Sequence, residues 1–453
     1  MSRTLESTSE AGEMPGVFRI SFTWLLLLAY LVGSCFLPAE IISASMLLVI
    51  VFFLADPYAG QSRLLFPGAL FFIIILLSGT RGMAGKAPYD VAKDLWYLGN
   101  PALTLLFGYL LTKRMDGLLS VMRAFVVAAI IVAVVHIFKF ILNPSYLDES
   151  LIDIRAQVSS GYLITALGIG IIVGNLRFGL DLLQTRLASW LGIILCLLSI
   201  TLSFSRTLWL CLMTLVLVSL IMNFPRAALR IVIAATVFII VGLAATGGYR
   251  MATETGPDLT FVDKIMYSMR ELQVSDYEDR TDINRNWRGY ESYRALQTYA
   301  SGSSADYLFG KGLGTSIDLG ITMTLADEVF DRIPILHNGY LYLLVKTGAI
   351  GLISYLLYLL VTFIIGMQLF RLPEAEARFC GFLLVVLTII MLETTLVIAG
   401  MFNKSWVYTA TLLIGVLLGY SESKLLKDPQ KLHLFRCYAK AVDVERKRAN
   451  SET

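Results

Sequence analysis

Charge is scarce in this chain. Only 16% of its 453 residues are Asp, Glu, Lys or Arg, and the net charge is +3. A soluble domain carries about a quarter charged residues, so an ordinary water-soluble fold is excluded. A balance this close to neutral also gives no electrostatic footprint for nucleic acid. Histidine is scarcer still, at three residues, and five cysteines are scattered at Cys35, Cys196, Cys211, Cys380 and Cys437. Neither type shows metal-ligand spacing, and no disulfide framework is visible. No cofactor motif appears, so the expected cofactor and metal sets are both empty. If a carboxylate metal site exists, Asp276, Asp279 and Asp282 are the residues to suspect.

What the chain has instead is apolar sequence, 57% of residues, in long blocks. Blocks of about twenty residues cross the roughly 30 Å hydrocarbon core as helices. Twelve such runs can be drawn: 20–37, 40–55, 64–80, 95–112, 118–142, 161–180, 187–204, 207–223, 229–247, 340–369, 378–400 and 404–420. The fold class expected is an all-α polytopic membrane protein. The division expected is nine spans over 1–247, a polar loop with short helices over 248–337, three spans over 338–422 and a basic tail over 423–453. The first run lacks an evident cleavage site and reads as a retained span, not a signal peptide.

Lys and Arg near span ends set the orientation. With the amino terminus in the cytoplasm, Arg63, Lys113, Arg114, Arg177, Arg186, Arg226, Arg230, Arg371 and Arg378 all fall inside, as does the basic tail. Both termini are then cytoplasmic and the long loop is periplasmic. A long polar insertion between spans usually carries function. Its residues 288–300 have helical spacing, Gly310–Gly314 must turn, and 321–330 read as a short helix.

Three places in or beside the periplasmic face could carry chemistry. His337 sits at the outer boundary of the tenth span, before an Asn338 that suits a helix cap. It is either an interfacial side chain that helps start the span or a base beside a substrate. Arg206, in Ser203-Phe204-Ser205-Arg206-Thr207, joins two spans with almost no loop. A guanidinium there either snorkels to headgroups or binds an anion, which it can do bidentately. Arg288 lies in the loop, three residues before Glu291, a spacing that permits a helical ion pair. Arg285 and Arg294 compete with it. Gly310-Lys311-Gly312-Leu313-Gly314 lacks phosphate-loop spacing and reads as a turn. Gly348 and Gly351 read as sites of close helix packing. Glu393 is an intramembrane carboxylate, either functional or paired with Lys404.

Taken together, these places resemble the O-antigen ligase and polymerase superfamily. His337-Asn338-Gly339, the apolar helix behind it and Gly348-x-x-Gly351 carry the resemblance, with Ser205-Arg206, Arg288 and the Phe309–Gly314 turn. Ser292 stands where the family often has tryptophan, four residues after the loop arginine. The resemblance implies a metal-independent, inverting glycosyltransferase of the bacterial inner membrane. Its donor would be a glycan on undecaprenyl diphosphate, and its acceptor lipid A–core or a second lipid-linked glycan. His337, Arg288 and Arg206 would be catalytic, with Arg206, Arg288, Asn338, Glu291 and Arg294 binding substrate. A polymerase of the same superfamily, a protein O-glycosyltransferase and a lipid-linked glycan transporter are the competing readings. The transporter is disfavoured because no internal repeat is visible.

Overall fold

The computed structural model describes residues 22–54, 66–112, 117–143, 161–222, 286–325, 328–402 and 408–425, together with Met115 and Ile283. The ninth apolar run, Asp276–Asp282, Lys404 and most of the basic tail lie outside the described residues.

The described residues are mostly helical. They form α1 (Phe22–Phe36), α2 (Ala39–Leu54), α3 (Phe66–Met83), α4 (Pro88–Thr112), α5 (Leu118–Leu142), α6 (Leu163–Phe178), α7 (Arg186–Leu202) and α8 (Arg206–Ile221). After these come α9 (Trp287–Ala300), α10 (Ser304–Phe309), strands β1 (Ile317–Leu325) and β2 (Glu328–Ile333), α11 (Gly339–Phe370), α12 (Ala375–Ile398) and α13 (Tyr408–Leu425). Three of them, α5, α11 and α12, are long and apolar enough to cross a membrane by length and composition. Many of their neighbours expose large apolar side chains, such as Leu48, Leu77, Met213 and Leu217. In a chain this apolar, such faces belong against lipid.

The strands correct the all-α expectation. Residues 321–330 do not form a helix; Ile317 pairs with Ile333 and Leu325 with Glu328 in an antiparallel hairpin. The reason is a period of two. Ile317 and Leu319 are buried while Asp318, Gly320 and Thr322 are exposed, the pattern of a strand with one covered face.

Glycine contacts fix the helix directions. Gly161 packs on Ser203 and Leu208, and Gly170 on Leu215, so α6 and α8 run the same way. Gly170 also meets Leu383, and Gly174 meets Phe379 and Phe382, so α12 runs against them. Asn100 meets Tyr408 and Gly108 meets Leu412, so α4 and α13 are parallel. The starts of α4, α6, α8, α11 and α13 therefore share one end of the bundle with the close of α12. The hairpin and α9 sit at that end. At the other end Arg177 and Arg378 stack on Phe178, at 5.8 and 5.5 Å from its ring centroid.

α11 departs from a plain span. Its 32 residues would extend about 48 Å as one helix, more than the roughly 30 Å hydrocarbon core. It breaks at Gly348, whose φ is +69°. The break is where the chain crosses itself. A Cβ on Gly348 would stand 2.3 Å from the Leu308 carbonyl oxygen, and one on Gly310 would stand 2.4 Å from the Lys346 carbonyl. Gly348 thus permits the 310–314 turn to pass, a different role from the helix–helix packing expected of it. Gly351 likewise meets its own helix's Thr347 side chain. The turn satisfies the interrupted backbone: Lys311 N–H donates to Val345 O at 2.8 Å and Gly312 N–H to Lys346 O at 3.2 Å. Irregular backbone at such a depth survives only when its polar groups are matched within the protein.

The same turn is locked to α3 and α4. Leu313 N–H donates to Ser78 O at 3.1 Å, and Gly314 N–H donates to Asp94 Oδ2 at 2.6 Å. Asp94 also accepts from Tyr342 Oη at 3.0 Å and from Lys346 Nζ. Lys346 and Asp94 are 0% and 1% exposed, so this ion pair is fully removed from solvent. Outside the bundle, Arg81 at the end of α3 reaches Asp306 of α10 at 2.6 Å. Hydrogen bonds from Ser303, with Arg81 and Lys311 nearby, hold the Asp306 carboxyl below its ordinary range.

Candidate functional site

His337 is the first fixed point at the polar end. Its carbonyl accepts from Ala399 N–H at 2.5 Å, which ties it to the close of α12. Asn338 follows as the α11 cap, its Oδ1 accepting from Tyr340 N at 3.1 Å and Leu341 N at 3.2 Å. Gly339 comes next because a Cβ there would lie 3.0 Å from Ala399 backbone atoms. Each residue of the His-Asn-Gly run therefore has a separate physical reason.

The side chain of His337 is 48% exposed and is held from one side only. Glu291 of α9, 5% exposed, places Oε2 2.8 Å and Oε1 3.1 Å from His337 Nδ1. Glu291 Oε2 also accepts from the His337 backbone N–H at 3.3 Å. A carboxylate can only accept, so the ring proton sits on Nδ1 and the lone pair is on Nε2. A buried carboxylate that orients one imidazole nitrogen, with the other left to act, is the base–orienter half of a catalytic triad. The sequence offered Glu291 as a helical partner of Arg288 or a substrate contact. Its carboxylate goes to His337 instead, across 46 positions of chain.

Arg288 lies in the first turn of α9, one turn before Glu291. Arg206 is the first residue of α8, after Ser205. Both are half-buried, and both lie at the His337 end by the helix directions given above. Arg294 is committed to the hairpin. Its Nε donates to Asp318 O at 2.8 Å and Nη1 to Gln297 Oε1 at 2.8 Å, with Asp318 Oδ1 3.7 Å from Nη2. Tyr290 joins it, its hydroxyl donating to Leu319 O. These contacts fix the tilt of α9, and so the place of Glu291.

Backbone strain marks the same end. Among the described residues only Phe204 and Ala399 take positive φ without being glycine, at 48° and 63°. Each such residue costs of order 1–3 kcal/mol and persists where the surroundings demand it. One stands two residues before Arg206 and the other carries the N–H that holds His337.

Glu393 lies deeper, on α12. Thr214 Oγ1 donates to its Oε2 at 2.5 Å, and its Oε1 has no partner among the described residues. His136 is buried in α5 with Nδ1 2.9 Å from Ser199 Oγ. No group of three or more His, Cys, Asp or Glu suited to a metal occurs among the described residues.

Residues 191–356 match a family model described as O-antigen ligase. This stretch is an O-antigen ligase domain. It contains Arg206, Arg288, Glu291 and His337, and it supports the superfamily that the motifs resembled. With helices long enough to span, the O-antigen ligase domain makes this a membrane protein of glycan transfer, ligase-like or polymerase-like. No curated protein matches the chain.

Proposed function

We propose that this protein transfers a glycan from undecaprenyl diphosphate to an acceptor hydroxyl, as an O-antigen ligase acting on lipid A–core. The observation that carries the reading is the grip of Glu291 on His337 Nδ1, which turns the Nε2 lone pair toward an acceptor. The full architecture read here is twelve spans with both termini cytoplasmic, in the bacterial inner membrane, and with α9 and the hairpin in a periplasmic loop.

In this mechanism the diphosphate rests at the outer boundary with its lipid tail among the spans. Arg206 and Arg288 bind it and stabilise the charge that grows as it leaves. The acceptor oxygen attacks the anomeric carbon from the opposite face, the bond to diphosphate breaks and the configuration inverts. The acceptor proton passes to His337 Nε2, and Glu291 stabilises the resulting imidazolium. No metal is needed, because the arginines supply the positive charge. Asn338 keeps its role as a cap beside the reacting groups.

The experiment combines purified protein with lipid-linked glycan and either lipid A–core or a second lipid-linked glycan. Product mass names the acceptor. Product on lipid A–core supports the ligase, and product only on the lipid-linked glycan makes the protein a polymerase. No transfer to either acceptor by folded protein overturns the reading.

A further inference from the structure

We infer that the bundle carries a neutral carbohydrate subsite between α2, α4 and α13, on the side of His337 away from α8. The inference rests on the glycan-transfer reading and adds to it the place where an acceptor sugar is held.

The floor of this place is polar without being charged. Asn100 Nδ2 donates to Tyr408 Oη at 2.7 Å, and Ser43 Oγ lies 3.4 Å from the same hydroxyl. All three residues are buried. The other amide atom of Asn100, Oδ1, has no partner among the described residues. Turning the amide over would exchange which atom meets Tyr408 and still leave one unmatched. An unmatched buried polar atom costs about 1–3 kcal/mol, so its retention calls for a use. Pro101 adds a second free group. It has no N–H, which leaves the Tyr97 carbonyl without its helical donor. The hydroxyl of Thr409, one residue beyond Tyr408, is also buried and unpartnered among the described residues.

The upper part is aromatic and open. Tyr97 is partly exposed and lies within electrostatic reach of Glu40 in the first turn of α2. Tyr97 also lies within reach of Tyr342, five residues beyond His337 on α11. The place is thus a neighbour of the candidate centre. It stands on the α4–α13 side, and the cationic end of α8 stands on the other.

The chemistry selects a sugar. A diphosphate is disfavoured by Glu40 at the mouth. A cation would stop at that exposed carboxylate and leave the neutral floor unused. A pyranose matches both levels: its hydroxyls donate to the free oxygens of Asn100 and Tyr97, and its apolar face lies on the Tyr97 ring. Tyrosine is suited to this because it has an apolar body and a polar tip.

The test uses protein in lipid nanodiscs free of sugar detergent. The probes are diazirine-bearing alkyl glycosides headed by glucose, galactose or N-acetylglucosamine, and a phosphocholine amphiphile of the same chain. At least one glycoside is expected to label the Tyr97–Asn100 turn several-fold above the phosphocholine probe. Free sugar should compete, and Tyr97→Ala should lose that excess. Asn100→Leu should do the same if it folds; Tyr97→Ala, at a partly exposed position, keeps the test alive if it does not. Equal labelling by phosphocholine, no competition, or no labelling by any glycoside would overturn the subsite and leave only water or lipid there. Transfer assayed on the same preparations separates the two ideas. Active protein without sugar-specific labelling loses the subsite alone. Inactive folded protein that still takes the sugar head keeps the subsite and loses the glycan-transfer reading.

Discussion

Glu291 and His337 are joined twice, through Nδ1 at 2.8 Å and through the His337 backbone N–H at 3.3 Å. The double contact fixes both the tautomer and the direction of the ring. Replacing Glu291 by Gln keeps the shape and allows an amide N–H to face Nδ1, which would move the ring proton to Nε2. We expect turnover to fall by about 10²–10⁴-fold with donor binding unchanged. Initial rates and donor titration on Glu291→Gln check this. Normal turnover in folded protein would reduce the pair to a structural clasp.

The arginines should behave differently from the histidine. His337→Ala removes a group used while bonds change, so turnover should drop by about 10²–10⁴-fold and donor binding should hold. Arg206→Ala should weaken donor binding as well, since a charge-assisted contact to phosphate exists before reaction. Arg206→Lys should recover part of it, keeping charge but not the planar fork. If Arg206→Ala binds donor as tightly as the parent, the guanidinium is only an anchor at the headgroups.

Orientation is testable with single cysteines in a Cys-free background. Ser303 would be a poor site, because it caps α10 and exchanges hydrogen bonds with Asp306. Ala300 is exposed at the end of α9 and Ser423 is near the end of α13. An impermeant thiol reagent should reach Ala300→Cys from the periplasm and miss Ser423→Cys. Labelling only at 423 would invert the topology and place the His337 end in the cytoplasm.

Metal dependence gives an independent check. The acidic stretch at Asp276, Asp279 and Asp282 lies outside the described residues, so solution chemistry must decide its role. We expect EDTA to leave turnover of purified protein unchanged. Activity lost to EDTA and restored by magnesium or manganese would show that the acidic stretch holds a catalytic ion.

The contrast between what sequence reveals and what it hides follows from distance along the chain. The apolar runs announced the helices because a lipid-facing helix must be apolar along its whole length. Asn338 was legible as a cap because capping is local, and α9 because its spacing is local. The hairpin was also legible: Ile317, Leu319, Ile321 and Met323 alternate with Asp318, Gly320 and Thr322. The polar setting hid the period of two, and a short helix was read in its place. Glu291 with His337 could not be paired from sequence, since the partners are 46 residues apart and each had a nearer candidate partner. The contact of Gly310 with Gly348 was hidden for the same reason. Asp94 and Lys346 did carry a signal, a charge inside an apolar helix. It points to a partner without saying which.

That pair gives the last prediction. Asp94 accepts from Lys346, Tyr342 and the Gly314 backbone N–H, so three segments depend on one carboxylate. Breaking a buried pair by removing one partner typically costs about 3–5 kcal/mol, because the remaining charge is left uncompensated. Lys346→Met should therefore lower thermal stability sharply, and Asp94→Leu should do so further by freeing Gly314 N–H as well. The double variant removes both charges and should regain much of the stability lost in Lys346→Met. It would still lack the acceptor that holds Gly314, so the 310–314 turn should loosen beneath α9. Hydrogen exchange at Lys311–Thr315 measures that loosening and thermal melting measures the rest. Equal losses from both single variants, with no recovery in the double, would mean that Asp94 matters as a hydrogen-bond acceptor and that its charge pairing with Lys346 contributes little.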